Sequence, residues 1–434
     1  MISPSASPPW CYALIDTQAL QHNLAVIQKH CSREHVVAML KSNAYGHGAV
    51  GVAQLLQRAG VSRFGVATLQ EAVQLREAGI TGTILLSGAG WLLQTEELIA
   101  RRIIPLVSDV AELSVIADHV RRSCVDGAYT VHLKVDTGMS RMGVVFREKN
   151  PGLFVSVLQQ LRHSERLKLQ GMCTHFADAD MKNSQAMLEQ MRLFACAVQL
   201  ARQEGLHPTV LHMANSAAIL QGYCREEQHT NTQPPKNSKQ LSGVSHAAVL
   251  KQPEWWVRPG GALYGLNPMG DGESCHLKPV LSWKAPIVLR KCVKKGSRVG
   301  YASTWTARRE TQIAVLAVGY GDGYKRLLSN RGHVLIGGLP APIVGRISMD
   351  LTTVDVTDIY GQLGPDSCAM GVTATLLGQE GKHCIMAWDL ARLCDTIPYE
   401  ICTSIASRVP RFYAGHDFDL NCNIQKSVVF VKYI

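Results

Sequence analysis

The chain has 434 residues, of which 46% are hydrophobic, and this length and composition predict two domains with a core each. Its 44 Lys and Arg against 34 Asp and Glu give a net charge of +10, but no basic run is interleaved with aromatic residues, so a small anionic ligand is favoured over nucleic acid. The 13 cysteines form neither CxxC pairs nor a Cys/His ligand pattern, which predicts free thiols in a reducing compartment and no metal site.

Strands and helices alternate through the first part of the chain. A strand over residues 10–15 and a helix from Asp16 come first. Eight further strands follow, mostly separated by helical patterns, at Val36–Leu40, Phe64–Ala67, Thr83–Leu86, Ile103–Val107, Tyr129–Val135, Leu167–Thr174, Thr209–Met213 and a last one near Val257 or across Ala262–Leu266. Eight such units predict a (β/α)8 barrel of the TIM type over residues 1–270. A doubly wound sheet is the alternative, but no GxGxxG follows the first strand.

The pattern changes twice after the seventh strand. Residues 222–254 are rich in Gln, Asn, Ser, Pro and Lys and have little periodicity, which predicts a long surface loop or a disordered insertion. Residues 271–434 read as a second, mostly-β domain that ends in two short helices. Its predicted strands are Pro286–Val293, Gln312–Val318, His333–Ile336, Pro342–Ile347, Thr352–Val356 and Val372–Leu377.

Reactive side chains recur at the ends of the predicted barrel strands. They are Lys41 after the first, Asp136 and Arg141 after the fifth, His175 after the sixth, His212 to Ser216 after the seventh and Arg258 at the eighth. A lysine at the end of an apolar strand is poorly solvated, so its amine can attack a carbonyl. Each residue alone has an ordinary structural explanation, but in a barrel all of them converge on one face, where active sites lie.

The ligand that these residues imply is a phosphate-bearing aldehyde. Ser216 stands at a helix start beside free backbone N–H groups, and Gly260 and Gly261 allow close approach of an anion. Lys41 could then form a Schiff base with pyridoxal 5'-phosphate. Taken singly, Ser216 also fits a plain helix cap and the glycines a plain turn.

A series of motifs resembles the alanine racemase family, a group of fold-type III pyridoxal phosphate enzymes. They fall in family order over about residues 10–413 and are Leu40–Gly48, Val135–Arg141, Thr174–Ala177, Ala214–Ala218, Arg258–Gly260, Val299–Tyr301, Gly319–Gly323, Val344–Asp350 and Thr396–Glu400. The resemblance implies a homodimer that interconverts L-alanine and D-alanine and supplies D-alanine for peptidoglycan.

The resemblance also implies roles for single residues. Lys41 would hold the cofactor as an aldimine and act as one catalytic base. Tyr301 from the partner subunit would act as the second, although a phenol is a weak base unless nearby cations help to ionise it. Arg258 would face the pyridine nitrogen, and because a guanidinium cannot accept a proton, the ring would remain a restrained electron sink.

The remaining implied positions concern binding. Arg141 and the backbone at Met349 would bind the substrate carboxylate, and His175 would pack against the cofactor ring. The positions that match phosphate contacts are Tyr45, Ser216, Gly260, Gly261 and Tyr399. Lys134 matches a lysine that some members carbamylate. The narrow entrance would be formed by the positions that match Tyr320, Arg326, Arg346 and Asp350.

Some features depart from the family or leave alternatives open. The insertion separates Ser216 from Arg258 by more residues than is usual, Ser348 replaces a common cysteine, and Gly321 replaces a larger residue. Another amino-acid racemase, a decarboxylase or a cofactor carrier on the same architecture are the alternatives. The sequence shows no secretion signal and no apolar run of about 20 residues, so we expect a cytoplasmic protein without membrane contact.

Overall fold

The computed structural model describes residues 10–123, 127–224, 253–270, 275–415 and 429–431. Contacts divide the chain into two units. We call Leu24–Lys41 with Ala53–Leu263 the barrel unit, and Met1–Asn23, Ser42–Val52 and Tyr264–Ile434 the β unit. The predicted insertion at 222–254, apart from its ends, lies outside the described residues.

Eight parallel strands form the barrel unit. Neighbouring strands pair in chain order, and an isolated parallel bridge between Val36 and Val257 joins the first strand to the last. The strands are β2 (Val37–Met39), β3 (Arg63–Val66), β4 (Thr83–Leu86), β5 (Ile104–Val107), β6 (Tyr129–Asp136), β8 (Leu167–Cys173), β9 (Val210–His212) and β10 (Glu254–Trp256); a short β7 (Val144–Val145) pairs with β6. The predicted (β/α)8 barrel is therefore confirmed.

Helices follow most of these strands, and several of them begin at a side-chain cap. Thr68 and Glu71 form the predicted capping box of one helix, and the Asp109 carboxylate accepts a hydrogen bond from the first turn of another. The helices of this unit are Leu69–Glu77, Thr95–Ala100, Val110–Arg122, Gly152–His163, Gln185–Gln203 and Ser216–Leu220. Thr17–Gln28 and Ala49–Arg58 have residues in both units.

The eighth strand is the one whose position the sequence left open. It lies at Glu254–Trp256 and continues through the bridge at Val257, as the first of the two alternatives predicts. The second alternative, a strand across Ala262–Leu266, is wrong: Gly261–Tyr264 forms a 3-10 helix. Leu263 donates to the carbonyl of Gly260 there, so the chain turns locally after the strand instead of pairing with one.

A large sheet organises the β unit. Its main path runs β16-β15-β18-β11-β1-β20-β21, with β14, β17 and β19 paired at its sides. The strands are β1 (Tyr12–Asp16), β11 (Leu281–Val293), β12 (Arg298–Val299), β13 (Trp305–Thr306), β14 (Thr311–Leu316), β15 (His333–Ile336), β16 (Leu339–Pro342), β17 (Thr352–Asp355), β18 (Thr373–Glu380), β19 (His383–Ile385), β20 (Arg411–Ala414) and β21 (Val429–Val431). The helices are Thr357–Leu363, Ala387–Cys394 and Pro398–Thr403.

The β unit differs from the sequence prediction in several places, and β12, β13, β19 and β20 have no predicted counterpart. The strand predicted at Pro342–Ile347 lies at Leu339–Pro342 instead. Gly345, with a φ of 78°, breaks the extended backbone within the predicted range. The helix Thr357–Leu363 was not predicted. The tail could not be placed from sequence, yet β21 pairs in parallel with β20. No helix within the described residues is long and apolar enough to cross a membrane.

Candidate active site

A cavity of about 160 Å³ opens at the C-terminal ends of the barrel strands. Its lining includes Lys41, Lys134, Arg141, His175 and Arg258, so four of the residues singled out at strand ends in the sequence lie around one space. Four of the five side chains carry amine or guanidinium groups, and the cavity therefore suits an anionic ligand. No group of three or more metal-ligating side chains is found in the described ranges.

Arg258 is the most heavily bonded side chain at this cavity. It is 8% exposed and its Nη1 donates to Nδ1 of His212 at 2.7 Å. Its Nη2 donates to the carbonyls of Thr174 at 2.7 Å and Met213 at 3.1 Å and approaches Nδ1 of His175 at 3.3 Å. Its Nε–H has no hydrogen-bond partner among the described residues, so this donor of a fixed guanidinium remains for a ligand.

The bond from Arg258 determines how two buried histidines are protonated. A guanidinium only donates, so Nδ1 of His212 accepts and the proton of that ring lies on Nε2. That Nε2 then donates to Nδ1 of His132 at 2.9 Å, and Nε2 of His132 donates to Oε1 of Gln170 at 3.2 Å. We call Gln170, His132, His212 and Arg258 the buried polar chain.

Both histidines of the buried polar chain are neutral at neutral pH. Burial and the Arg258 charge lower the pKa of His132 to about 4, although the hydrogen bond to Gln170 opposes them. Burial and the same charge hold the pKa of His212 well below its ordinary value. Neutral imidazoles cannot share the positive charge of Arg258, which therefore stays a cationic donor.

Two lysines face the cavity with amines that burial makes easier to deprotonate. Burial lowers the pKa of Lys41, the Arg141 and Arg258 charges lower it further, and Glu71 opposes them. Burial and the same cations, with Lys41, lower the pKa of Lys134. A larger neutral fraction makes either amine a better nucleophile or base at neutral pH.

The backbone directly after Lys41 is left-handed. Ser42, Asn43 and Ala44 have φ of 52–54° and ψ of 48–53°, and Tyr45 has φ 52°. Each such residue costs about 1–2 kcal/mol relative to a right-handed turn. Contacts within the β unit hold the segment: Arg411 donates to the Gly46 carbonyl at 3.0 Å, and a Cβ on Gly46 would stand 2.0 Å from the Cys402 carbonyl oxygen.

Ser216 forms a second polar cluster in the barrel unit. Asn215, not Ser216, caps the helix, with its Oδ1 accepting from Ala218 at 3.1 Å. The Ser216 hydroxyl oxygen accepts from the amides of Gly260 at 2.9 Å and Ala262 at 3.1 Å. Its proton is therefore free to be directed elsewhere, and the cluster joins the loops after β9 and β10.

The other predicted residues lie in the β unit. The ring of Tyr45 is 5.1 Å from that of Tyr264 and 5.9 Å from that of Tyr399. Burial raises the pKa of Tyr45 well above its ordinary value, so its hydroxyl keeps the proton that an anion could accept. Tyr301 is 69% exposed and Met349 is 55% exposed.

Sequence reasoning missed His132 and Gln170 and gave His212 no role beyond its place at a strand end. His132 lies inside β6 and His212 is the last residue of β9, and a buried histidine in a strand is usually interpreted as a core residue. The only sequence signal was their strand position: β6 and β9 flank β8, and side chains that point into a barrel can meet across the strand between them. His132 pairs in register with Gly171, which makes room for its ring.

Comparisons with known proteins give a consistent result. The family described as "Alanine racemase, N-terminal domain" matches residues 15–235, and "Alanine racemase, C-terminal domain" matches residues 280–413. An alanine racemase of Sorangium cellulosum (strain So ce56) is 40% identical over 408 residues, covering 92% of this chain and 98% of the relative.

Two solved structures are similar over most of the chain. The alanine racemase from D-cycloserine-producing Streptomyces lavendulae has a TM-score of 0.79 at 31% identity and covers 94% of this chain and 98% of its own. The alanine racemase from Bartonella henselae with covalently bound pyridoxal phosphate has a TM-score of 0.74 at 27% identity, with coverages of 94% and 100%.

The buried polar chain predicts how stability depends on pH. As pH falls from 7 toward 4, the unfolded chain gains a proton on His132 that the folded chain cannot accept, so the free energy of unfolding falls by up to about 1.4 kcal/mol per pH unit from this group. Below the folded pKa of about 4 this contribution levels off. His132→Gln can still accept from His212 and donate to Gln170. It should remove this group's contribution to the slope of the unfolding free energy against pH, which is up to about 1.4 kcal/mol per pH unit.

Urea denaturation at a series of pH values measures this slope. His163→Gln is the control, since His163 is exposed near the end of the helix Gly152–His163, and it should leave the slope unchanged. An identical slope in wild type and His132→Gln would contradict a neutral, buried His132.

Proposed function

The chain belongs to the alanine racemase family, and from that premise we propose that its barrel cavity holds pyridoxal 5'-phosphate covalently at Lys41. The activity of the family, and of this chain, is the interconversion of L-alanine and D-alanine. The cofactor requirement and the supply of D-alanine for peptidoglycan are general for the family. The observation that carries the cofactor proposal is the meeting of the Lys41 amine and the Arg258 guanidinium at one cavity.

The residues at the cavity fit this cofactor. A neutral amine is needed to bond to an aldehyde carbon, and burial beside Arg141 and Arg258 favours the neutral form of Lys41. The unpartnered Nε–H of Arg258 is a donor suited to a pyridine nitrogen. The alanine racemase from Bartonella henselae, which carries the cofactor covalently, supports the same assignment.

When bound, the cofactor supplies an electron sink that makes the Cα proton of alanine acidic. Arg258 would limit that sink, because a guanidinium that donates to the ring nitrogen does not give up its proton. The buried polar chain holds Arg258 in this role, since neutral His212 accepts from it at 2.7 Å. A carboxylate at that position would instead favour a protonated ring and the deeper sink that decarboxylation uses.

Racemisation needs a proton acceptor on each face of the substrate, and we assign one to each of two subunits. Lys41 would serve one face. Tyr301 serves the opposite face from the β unit of a second copy, which makes the active form a homodimer. The exposure of Tyr301 (69%) and Met349 (55%) on the β unit supports this, because both are free to meet a partner.

The binding roles follow from donor chemistry. Arg141 at the cavity and the backbone N–H of Met349 would bind the substrate carboxylate, and His175, which is neutral because burial and Arg258 lower its pKa, would pack against the cofactor ring. The residues proposed for the phosphate are Tyr45, Ser216, Gly260, Gly261 and Tyr399. A domain division at residue 270 and cytoplasmic localisation remain proposals from the sequence.

Covalent attachment at Lys41 is tested by reduction with borohydride. Treatment of wild type should fix the cofactor mass on the peptide that contains Lys41, and Lys41→Ala should retain none and lose D-alanine formation in a coupled assay. Lys134→Ala is the matched control, because Lys134 lines the same cavity with an amine of similarly lowered pKa. Label on Lys134, or no label in wild type, would contradict the assignment.

The two-base assignment is tested by Tyr301→Phe. Loss of one general base should slow racemisation about 100-fold or more. Deuterium incorporation from heavy water should fall far more for one alanine enantiomer than for the other, because Lys41 still serves its own face. Tyr360→Phe is the control, as Tyr360 stacks on Arg290 at 4.7 Å elsewhere in the β unit. Equal losses for both enantiomers would refute two bases.

A further inference from the structure

Arg408 joins two loops of the β unit through two carboxylates. Its Nε donates to Oδ1 of Asp322 at 2.8 Å, and its Nη2 donates to Oδ1 of Asp350 at 2.7 Å. Asp322 is fully buried, whereas Asp350 is partly exposed. We call Arg408, Asp322 and Asp350 the Arg408 clamp.

The buried end of the clamp organises a turn. Oδ2 of Asp322 accepts from the amide of Gly319 at 2.9 Å, and Oδ1 also accepts from Nε1 of Trp10 at 3.3 Å. These bonds close the 3-10 turn Tyr320–Asp322. The turn is therefore fixed from its inner side by a carboxylate whose charge Arg408 balances.

The Tyr320–Asp322 turn also fixes the loop that contains Met349. The amide of Tyr320 donates to the carbonyl of Ser348 at 3.0 Å, and the amide of Gly321 donates to the carbonyl of Met349 at 2.8 Å. In a trans peptide the carbonyl and the following N–H point in opposite directions. The bond to the Ser348 carbonyl therefore aims the Met349 N–H away from the turn, in one direction.

Gly321 makes the outer end of the clamp possible. A Cβ at this position would stand 2.8 Å from Nη2 of Arg408 and 3.0 Å from the Met349 carbonyl oxygen. A side chain at this position would have to displace Nη2 of Arg408, so glycine leaves room for the guanidinium to cross the turn and reach Asp350. The bond between Arg408 and Asp350 therefore depends on the space that Gly321 leaves.

We propose that Arg408 is a positioning residue for alanine binding: with Gly321 it clamps the Tyr320–Asp322 turn against the Met349 loop and so fixes the direction of the Met349 N–H. This rests on the proposed function, in which that N–H binds the substrate carboxylate. Arg408 touches neither cofactor nor substrate in this role. Its loss weakens ground-state and transition-state binding alike, so KM rises while kcat changes little.

Four variants separate the clamp from general stability. Arg408→Gln removes the charge and one of the two donors, and Arg408→Lys keeps the charge but cannot reproduce the forked geometry. Gly321→Ala retains all three charged groups, displaces Nη2 of Arg408 and also crowds the Met349 carbonyl oxygen. Arg392→Gln is the control, because Arg392 pairs with Asp389 within the helix Ala387–Cys394.

Two readouts decide the proposal. KM for alanine should rise about tenfold in Arg408→Gln, less in Arg408→Lys and Gly321→Ala, with kcat within about twofold and with Arg392→Gln unchanged. Amide hydrogen exchange in residues 317–324 and 346–352, read by mass spectrometry, should accelerate in the same order.

The outcomes distinguish this proposal from the proposed function. A fall in kcat at constant KM, or unchanged exchange in Arg408→Gln, overturns the clamp. Absence of alanine turnover in wild type contradicts the function, and with it the substrate role of the clamp, while the exchange data still show whether Arg408 holds the two loops.

Discussion

The hydrogen bond from Arg258 to His212 is the interaction on which the candidate site depends. A guanidinium can only donate, so one bond of 2.7 Å sets the proton positions of two imidazoles in series. The chain ends at the amide oxygen of Gln170, an acceptor, so every proton in it is placed. Because both histidines are neutral, the positive charge remains on Arg258 and faces the cavity.

That charge affects the other groups around the cavity. With Arg141 it lowers the pKa of Lys41, and it lowers the pKa of Lys134 and His175 as well. The site therefore combines amines that lose protons easily with guanidinium groups that do not. Such a combination suits a reaction in which a proton is removed and returned while an anionic ligand is held in place.

The sequence predicted the barrel and the convergence of strand-end residues, because apolar runs of strand length alternate with capped helices. Lys41, Arg141, His175 and Arg258 all lie around one cavity. Among the barrel strands, the prediction left the position of the eighth open, because the long insertion obscured the spacing. The strand-end rule worked because parallel barrel strands place all their carboxyl ends on one face.

Other features could not be predicted because contacts distant in sequence impose them. Ser42, Asn43 and Ala44 would not adopt a left-handed turn from local propensity, and distant contacts such as the bond from Arg411 to the carbonyl of Gly46 hold that segment. The partnership of His132 with His212 joins residues 80 positions apart. The role of Gly321 is visible only once Arg408 lies above it.

Measuring the protonation of His132 and His212 tests most directly whether Arg258 sets their proton positions. Nitrogen NMR of protein labelled with ¹⁵N-histidine reports which ring nitrogens carry protons. Between about pH 5.5 and 7.5, we expect His132 and His212 to be neutral, with the His212 proton on Nε2. The protonation of both rings should not change across this range. An imidazolium signal from either ring at neutral pH, or a proton on Nδ1 of His212, would contradict it.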